Sequence, residues 1–352
     1  MIASLQSYGL VPFFAQQLSA EENEPGRIAR VTEVQRSLLA VFDGFEERTI
    51  SLNSALHETP PEERPTVGDW VVLDSSLSRI ERVLIRKSVF QRIAAGDKVE
   101  VQLIAANIDI LFIVTSCNAE FKESRLERYL ALASEAGVIP VIVLTKIDLT
   151  DDMESYVERA RRTHAGVAVE AVNALDEHGL VGVKAWIERG STIALVGSSG
   201  VGKSTLLNSL AGRVCATTKA VREDDKKGRH TTTHRSLFRL ANGGLVIDVP
   251  GIREIKIAGV DEALADVFDD IEVLSRTCRF KDCRHESEPG CAVLEAVNDG
   301  VVDERRVRNY MKLLRENKRN SASLAERRSQ GRAFAKHVKQ VKINKQNERS
   351  QS

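Results

Sequence analysis

The chain has 352 residues, with 50 Lys and Arg against 50 Asp and Glu, so its formal net charge is zero. It is long enough for two or three domains with sizeable cores, and its apolar and charged fractions are those of an ordinary globular protein. No apolar run reaches membrane-spanning length and no basic-then-apolar signal opens the chain, so a membrane protein is excluded and a cytoplasmic setting is expected.

Residues 1–25 are weakly patterned and are expected to form a mobile or loosely docked arm. Residues 26–98 read as short β-strands: Arg27–Val31, Leu38–Phe42, Gly68–Leu73 and Ile80–Ile85, with the proline-rich stretch Thr59–Pro65 between two pairs. Several short strands in so few residues point to a small barrel. An OB-fold is the commonest nucleic-acid-binding kind, and a structural β-domain without a ligand fits the same strands.

An α/β alternation follows. Ile108–Val114 reads as a buried parallel strand, and Glu123–Ala136 as a helix with Leu126, Tyr129, Leu130 and Ala133 on one face. Val138–Leu144 is a second buried strand, ending in Thr145-Lys146-Ile147-Asp148. A helix near 152–163, a strand at Val167–Val172 and a helix near 179–188 come next. The pattern predicts a doubly wound, mostly parallel sheet with ligands at the strand C-termini.

The apolar strand Ile193–Val196 then runs into Gly197-Ser198-Ser199-Gly200-Val201-Gly202-Lys203-Ser204-Thr205, and Leu206, Leu207 and Leu210 follow at helical spacing. This is Gly-x-x-x-x-Gly-Lys-Ser between a strand and a helix, the context that identifies a phosphate-binding loop. Its glycines bring backbone N–H groups close to phosphate oxygens, and the helix N-terminus adds free donors. Lys203 can reach the β- and γ-phosphates, and the Ser204 hydroxyl can ligate Mg²⁺.

With that loop in the chain, Thr145-Lys146-Ile147-Asp148 reads as a guanine box. The Asp148 carboxylate can accept from guanine N1–H and the 2-amino group together, a donor pair adenine lacks. The stem of Lys146 can lie over the purine face. Val172-Asn173-Ala174 stands in the place of the second base-contacting loop. Downstream, Leu245–Gly251 is a strand ending in Asp-x-x-Gly: Asp248 can hold Mg²⁺ through water, and the Gly251 N–H can meet the γ-phosphate. The polar stretch 224–235 between the two reads as a switch loop with three threonines, of which Thr232 is taken as the Mg²⁺ ligand. His230 is a candidate to orient the attacking water, because the position after Asp-x-x-Gly is Ile252, which cannot hydrogen-bond water. The base-reading boxes precede the phosphate loop. In ordinary GTPases they follow it, so the domain, placed at 99–258, is circularly permuted.

Residues 259–320 hold Cys278, Cys283, His285 and Cys291, a Cys-x₄-Cys-x-His-x₅-Cys set. Three thiolates and an imidazole make a closed tetrahedral site for one structural zinc, and clustered cysteines of this kind favour metal over a disulfide framework. From Asp303 onward fifteen basic residues face five acids, a local charge of +10 that points to a polyanion partner; the basic tail is placed at 321–352. An idle, solvated tail is the competing reading.

The permuted order, Gly-Arg-His-Thr-Thr-Thr at 228–233, Asp-x-Pro-Gly at 248–251 and the cysteine spacing ending Glu-Pro-Gly-Cys together resemble the RsgA (YjeQ) family of ribosome small-subunit-dependent GTPases, from about Gly26 to Tyr310. That family usually has Ser-Ala where this chain has Asn173-Ala174. The resemblance implies an N-terminal OB-fold, a central permuted GTPase domain and a mostly helical C-terminal zinc domain. It implies GTP hydrolysis to GDP and phosphate in late maturation of the small ribosomal subunit, stimulated by that subunit and driving release, with Zn²⁺ and Mg²⁺ as cofactors and the subunit and its rRNA as partners. A monomer is expected. A GTP-dependent rRNA-binding module whose hydrolysis is incidental is the alternative; an ATPase is disfavoured by the Asp148 box.

Overall fold

The computed structural model describes residues 2–35, 37–51, 59–93, 101–176, 178–212, 235–248 and 257–322. Two short helices, α1 (Ile2–Gln6) and α2 (Pro12–Ala15), precede five strands, β1 (Ile28–Val34), β2 (Leu38–Phe42), β3 (Glu47–Ser51), β4 (Trp70–Leu73) and β5 (Ile80–Val83). These strands pair antiparallel in the order β3-β2-β1-β4-β5.

Alternation along β1 and β4 explains why both are buried on each face. Ala29, Val31, Val71 and Leu73 point into one core with Leu39, Val41 and Ile50. Ile28, Trp70 and Val72 point the other way and are covered by Leu5 of α1 and Phe14 of α2. This corrects the expectation of a mobile or loosely docked arm. Leu5 is 0% and Phe14 2% exposed, and such side chains stabilise by about 1.5–3 kcal/mol each when buried. The arm was hard to see because its apolar residues match the outside of a sheet, with no periodicity of their own.

β6 (Val89–Ile93) and β7 (Val101–Ala106) form a separate two-stranded sheet. The α/β unit then runs β8 (Ile110–Ser116), α3 (Glu123–Ala136), β9 (Ile139–Thr145), α4 (Met153–Arg161), β10 (Ala168–Val172), α5 (Val181–Ala185), β11 (Thr192–Val196), α6 (Lys203–Ala211), β12 (Arg235–Arg239) and β13 (Leu245–Asp248). Strands β10-β9-β8-β11-β13 are parallel in that order, with β12 antiparallel at the end, so the expected mostly parallel sheet is present. The order reverses between β8 and β11, where ligand-binding crevices open at the strand C-termini of such sheets. The α5 helix is shorter than the spacing predicted, because a 3₁₀ turn occupies His178–Leu180.

Two features join the N-terminal strands to this unit. Glu33 and Val34 of β1 pair with Ser236 and Arg235 of β12, making one eleven-stranded sheet. Arg30, which is 1% exposed, is the other. Its guanidinium donates to the carbonyls of Gly68, Tyr8 and Asn107 and to the Thr192 hydroxyl, so one side chain ties the arm, the N-terminal strands and the start of β11. Burial pulls Arg30 down to about 10, still fully charged at neutral pH.

The C-terminal unit is helical: α7 (Asp261–Val267), α8 (Asp269–Ser275), α9 (Ala292–Asn298) and α10 over 304–322. It docks on α3 through charge. Glu127, 0% exposed, accepts from Arg305, Arg306 and Asn309 of α10. Arg128 and Glu316 form a bidentate pair at 2.7 and 2.8 Å. Arg306 also donates to Asp270 and to the carbonyls of Thr163 and Val267.

Candidate nucleotide and metal sites

The phosphate loop grows out of β11, whose five residues are all buried. At Gly197 a Cβ would stand 2.1 Å from the Val114 carbonyl, so only glycine lets the loop leave β11 against β8. Gly202, at φ 94°, caps the N-terminus of α6 in the left-handed region. Leu206, Leu207 and Leu210 are buried as their spacing predicts, and Val201 pins the loop to the same core. Lys203 Nζ donates to the carbonyls of Gly197 and Ser198, folded back over the loop it serves. Ser204 and Thr205 lie half-buried in the first turn of α6.

The base box reaches the same loop. Thr145 is fully buried, and its hydroxyl bonds the carbonyls of Val201 and Thr115. Lys146 adopts φ 59° and its Nζ donates to the Gly200 carbonyl at 2.7 Å. Ile147 packs partly buried against the core, while Asp148 stands exposed in the following 3₁₀ turn. Asn173 and Ala174 follow β10; Ser209 of α6 donates to the Ala174 carbonyl at 2.6 Å, so the phosphate-loop helix holds the second base loop too. Asp248 ends β13, beside β11. Gly251, Thr232 and His230 lie outside the described residues, as do the switch loop and residues 323–352 of the basic tail.

A cavity of about 760 Å³ opens at the opposite ends of the strands, lined by Arg30, Asp109, Trp186 and Gly190 among others. None of the predicted site residues lines it. The chemistry-bearing groups sit at the strand C-termini, where the topology requires them.

In the C-terminal unit, one ligand atom each from Cys278, Cys283, His285 and Cys291 lies within 4.8 Å of the others. Cys278 Sγ is 3.9 Å from Cys291 Sγ and 3.7 Å from His285 Nδ1, and His285 Nδ1 is 3.3 Å from Cys291 Sγ. A tetrahedral zinc with Zn–S near 2.3 Å spaces its ligands about 3.3–3.8 Å apart, so the donor set fits. Burial pushes the Cys283 thiol up to about 11. Burial also holds His285 below its ordinary value, favouring the neutral imidazole that ligates. Cys291 begins α9 and accepts from Leu294 N–H, a donor suited to a thiolate. The four residues could hold a zinc ion.

Sequence reasoning missed three contacts at the site: the buried Thr145 latch, the Ser209 tie and Arg125, which reaches from α3 to the Ser198 hydroxyl. Only the first had a local signal, a hydroxyl at the end of an otherwise apolar strand.

A doubly wound sheet carrying a phosphate loop, with the Thr-Lys-x-Asp box joined to that loop yet preceding it in the chain, is the arrangement of a circularly permuted P-loop GTPase. Comparison with known proteins agrees. Residues 83–258 match the family model described as RsgA GTPase. An ABC transporter model matches residues 180–350, a segment that contains the same phosphate loop. The chain is 45% identical, over 97% of its length and 96% of the relative's, to "Small ribosomal subunit biogenesis GTPase RsgA 2" of Vibrio vulnificus. It is 44% identical to "Small ribosomal subunit biogenesis GTPase RsgA" of Mesorhizobium japonicum, over 90% of this chain and 91% of that one. Among solved structures, YjeQ from Thermotoga maritima superposes with a TM-score of 0.60 at 25% identity, covering 82% of this chain and 98% of that one. The protein belongs to the RsgA GTPase family and is a GTP hydrolase.

Proposed function

We propose that this GTPase acts in late maturation of the small ribosomal subunit, hydrolysing GTP to GDP and phosphate faster when docked there and leaving after hydrolysis. The observation that carries the reading is the junction of base box and phosphate loop, Thr145 on Val201 and Lys146 on Gly200, in a chain that matches relatives named for small-subunit biogenesis along nearly its whole length. When bound with GTP, Mg²⁺ would neutralise developing phosphate charge; Ser204, Asp248 and Thr232 are the residues assigned to it. Lys203 would turn from the loop carbonyls to the β- and γ-phosphates. Asp148 would accept from the guanine edge, and Asn173-Ala174 would close the base site.

With Ile252 in place of a water-orienting glutamine, turnover of the free protein should be slow, and His230 is the chain's own candidate for that role. The five-strand unit at 26–98 is read as an OB-fold, supported by its order β3-β2-β1-β4-β5; among the described residues no β3–β5 ladder closes it. Residues 99–258 are then the GTPase domain and 259–320 a domain stapled by structural zinc. The tail at 321–352 is read as an rRNA contact, supported by its charge.

The test is steady-state GTP turnover alone, with purified small subunits and with large subunits. Specific stimulation by small subunits is expected; none would leave the rRNA-binding module with incidental hydrolysis as the better reading. The same assay on His230→Ala should keep subunit binding and lose the stimulation.

A further inference from the structure

Lys203 is not the only cation at the phosphate loop. Arg125 stands in the first turn of α3, 73 residues away in sequence, and its Nη1 donates to the Ser198 hydroxyl. Ser198 follows Gly197, and Lys203 caps the carbonyls of these same two residues. The two cations therefore flank one end of the loop.

An ion pair does not account for Arg125. Among the described residues Glu120 is its only carboxylate partner, at 3.5 Å, and the two side chains are 34% and 49% exposed, an arrangement of little energetic value. Every bond to Arg125 uses Nη1. Its Nε and Nη2 donors have no partner among the described residues, although they belong to a planar fork suited to two oxygens of one phosphate. Bracing a serine hydroxyl would need only a single neutral donor.

We propose that Arg125 is a ligand for the terminal phosphate of the bound nucleoside triphosphate, through these spare donors, and so makes the site distinguish GTP from GDP. This rests on the GTPase assignment above. Because α3 also carries Glu127 and Arg128, the side chain that meets the third phosphate is borne by the helix on which the C-terminal unit docks.

The test is equilibrium binding of GDP and of a non-hydrolysable GTP analogue to the full-length protein, with wild type, Arg125→Ala and Arg125→Lys compared after thermal unfolding confirms that each is folded. Arg125→Ala should weaken the analogue about tenfold or more and GDP less than about twofold, the size expected for loss of a charge-assisted bond to one phosphate. Arg125→Lys should recover part of the loss, since it restores charge without the fork. Equal weakening of both nucleotides by Arg125→Ala would make the residue a loop brace and overturn the proposal, as would no change in either. A wild type that binds neither nucleotide would instead refute the nucleotide site itself.

Discussion

The charge network between α3 and α10 allows a quantitative forecast for Arg306→Met. The side chain is almost fully buried, and methionine keeps an apolar stem about as far as Nε while removing the fork. Two buried carbonyls, of Thr163 and Val267, lose their guanidinium donors, at about 1–3 kcal/mol each. Glu127, wholly buried, loses one of its two arginines. Breaking one partner out of a buried pair costs about 3–5 kcal/mol in general, and the carbonyl count, about 2–6 kcal/mol, agrees. The expected loss is therefore about 4 kcal/mol, read from urea unfolding followed by circular dichroism. GDP binding should survive in the folded variant, because the groups Arg306 bonds, Glu127, Asp270 and the carbonyls of Thr163 and Val267, are not part of the phosphate loop. Adding Glu127→Leu should restore part of the stability, since the second change removes the stranded charge, and the two effects should fall short of their sum by about 2 kcal/mol. A single-variant loss under about 1 kcal/mol, or strict additivity in the double variant, would refute the reasoning.

Asp148→Asn should cost on the order of 1.5–3 kcal/mol of GTP affinity, and wild type binding ATP and GTP equally would contradict the guanine assignment. Cys283→Ser should abolish stoichiometric zinc in metal analysis and loosen the C-terminal helices while guanine-nucleotide binding largely persists; zinc-free wild type with unchanged stability would argue against a structural metal. The Arg128 guanidinium holds Glu316 below the ordinary carboxylate value. A depressed carboxyl contributes stability that is complete above its unfolded value, about 4.3, and is lost as pH falls through the folded one. The stability gap between wild type and Glu316→Gln should thus be flat from pH 5 to 7 and shrink below about pH 4, and a gap that is unchanged at pH 3 would exclude this pair as its source.

How much of this was legible in the sequence depended on the reach of each contact. The helix Glu123–Ala136, the phosphate loop and the Thr145–Asp148 box carry their information within a dozen residues, as spacing, glycines and a strand-end motif; the helix has the bounds its spacing predicts, and the two motifs stand at the ends of β11 and β9. β12 was read partly as loop, because Arg-Ser-Leu-Phe-Arg is too short for alternation to show. The burial of Glu127 was hidden because its partners Arg305 and Arg306 lie 178 and 179 residues away, and a lone glutamate on a helix normally reads as solvated. Arg125 and Arg30 are similar: each acts across 73 or more residues at its decisive contact, and neither leaves a local trace.

The pairing of β1 with β12 has a consequence for the life of the chain before it is finished. A bare outer strand offers its N–H and C=O groups to any extended polypeptide that drifts past, and β12 is the strand at which the parallel sheet would otherwise stop. Glu33 and Val34 occupy its Ser236 and Arg235 positions. Those two residues are synthesised some two hundred positions earlier, so the shield is already made when the strand it covers emerges. What remains at the rims among the described residues are three short strands, β10, β3 and β5, bearing Glu170 on the first, Glu47 and Arg48 on the second and Glu81 and Arg82 on the third, short and charged enough to discourage recruitment of a neighbour.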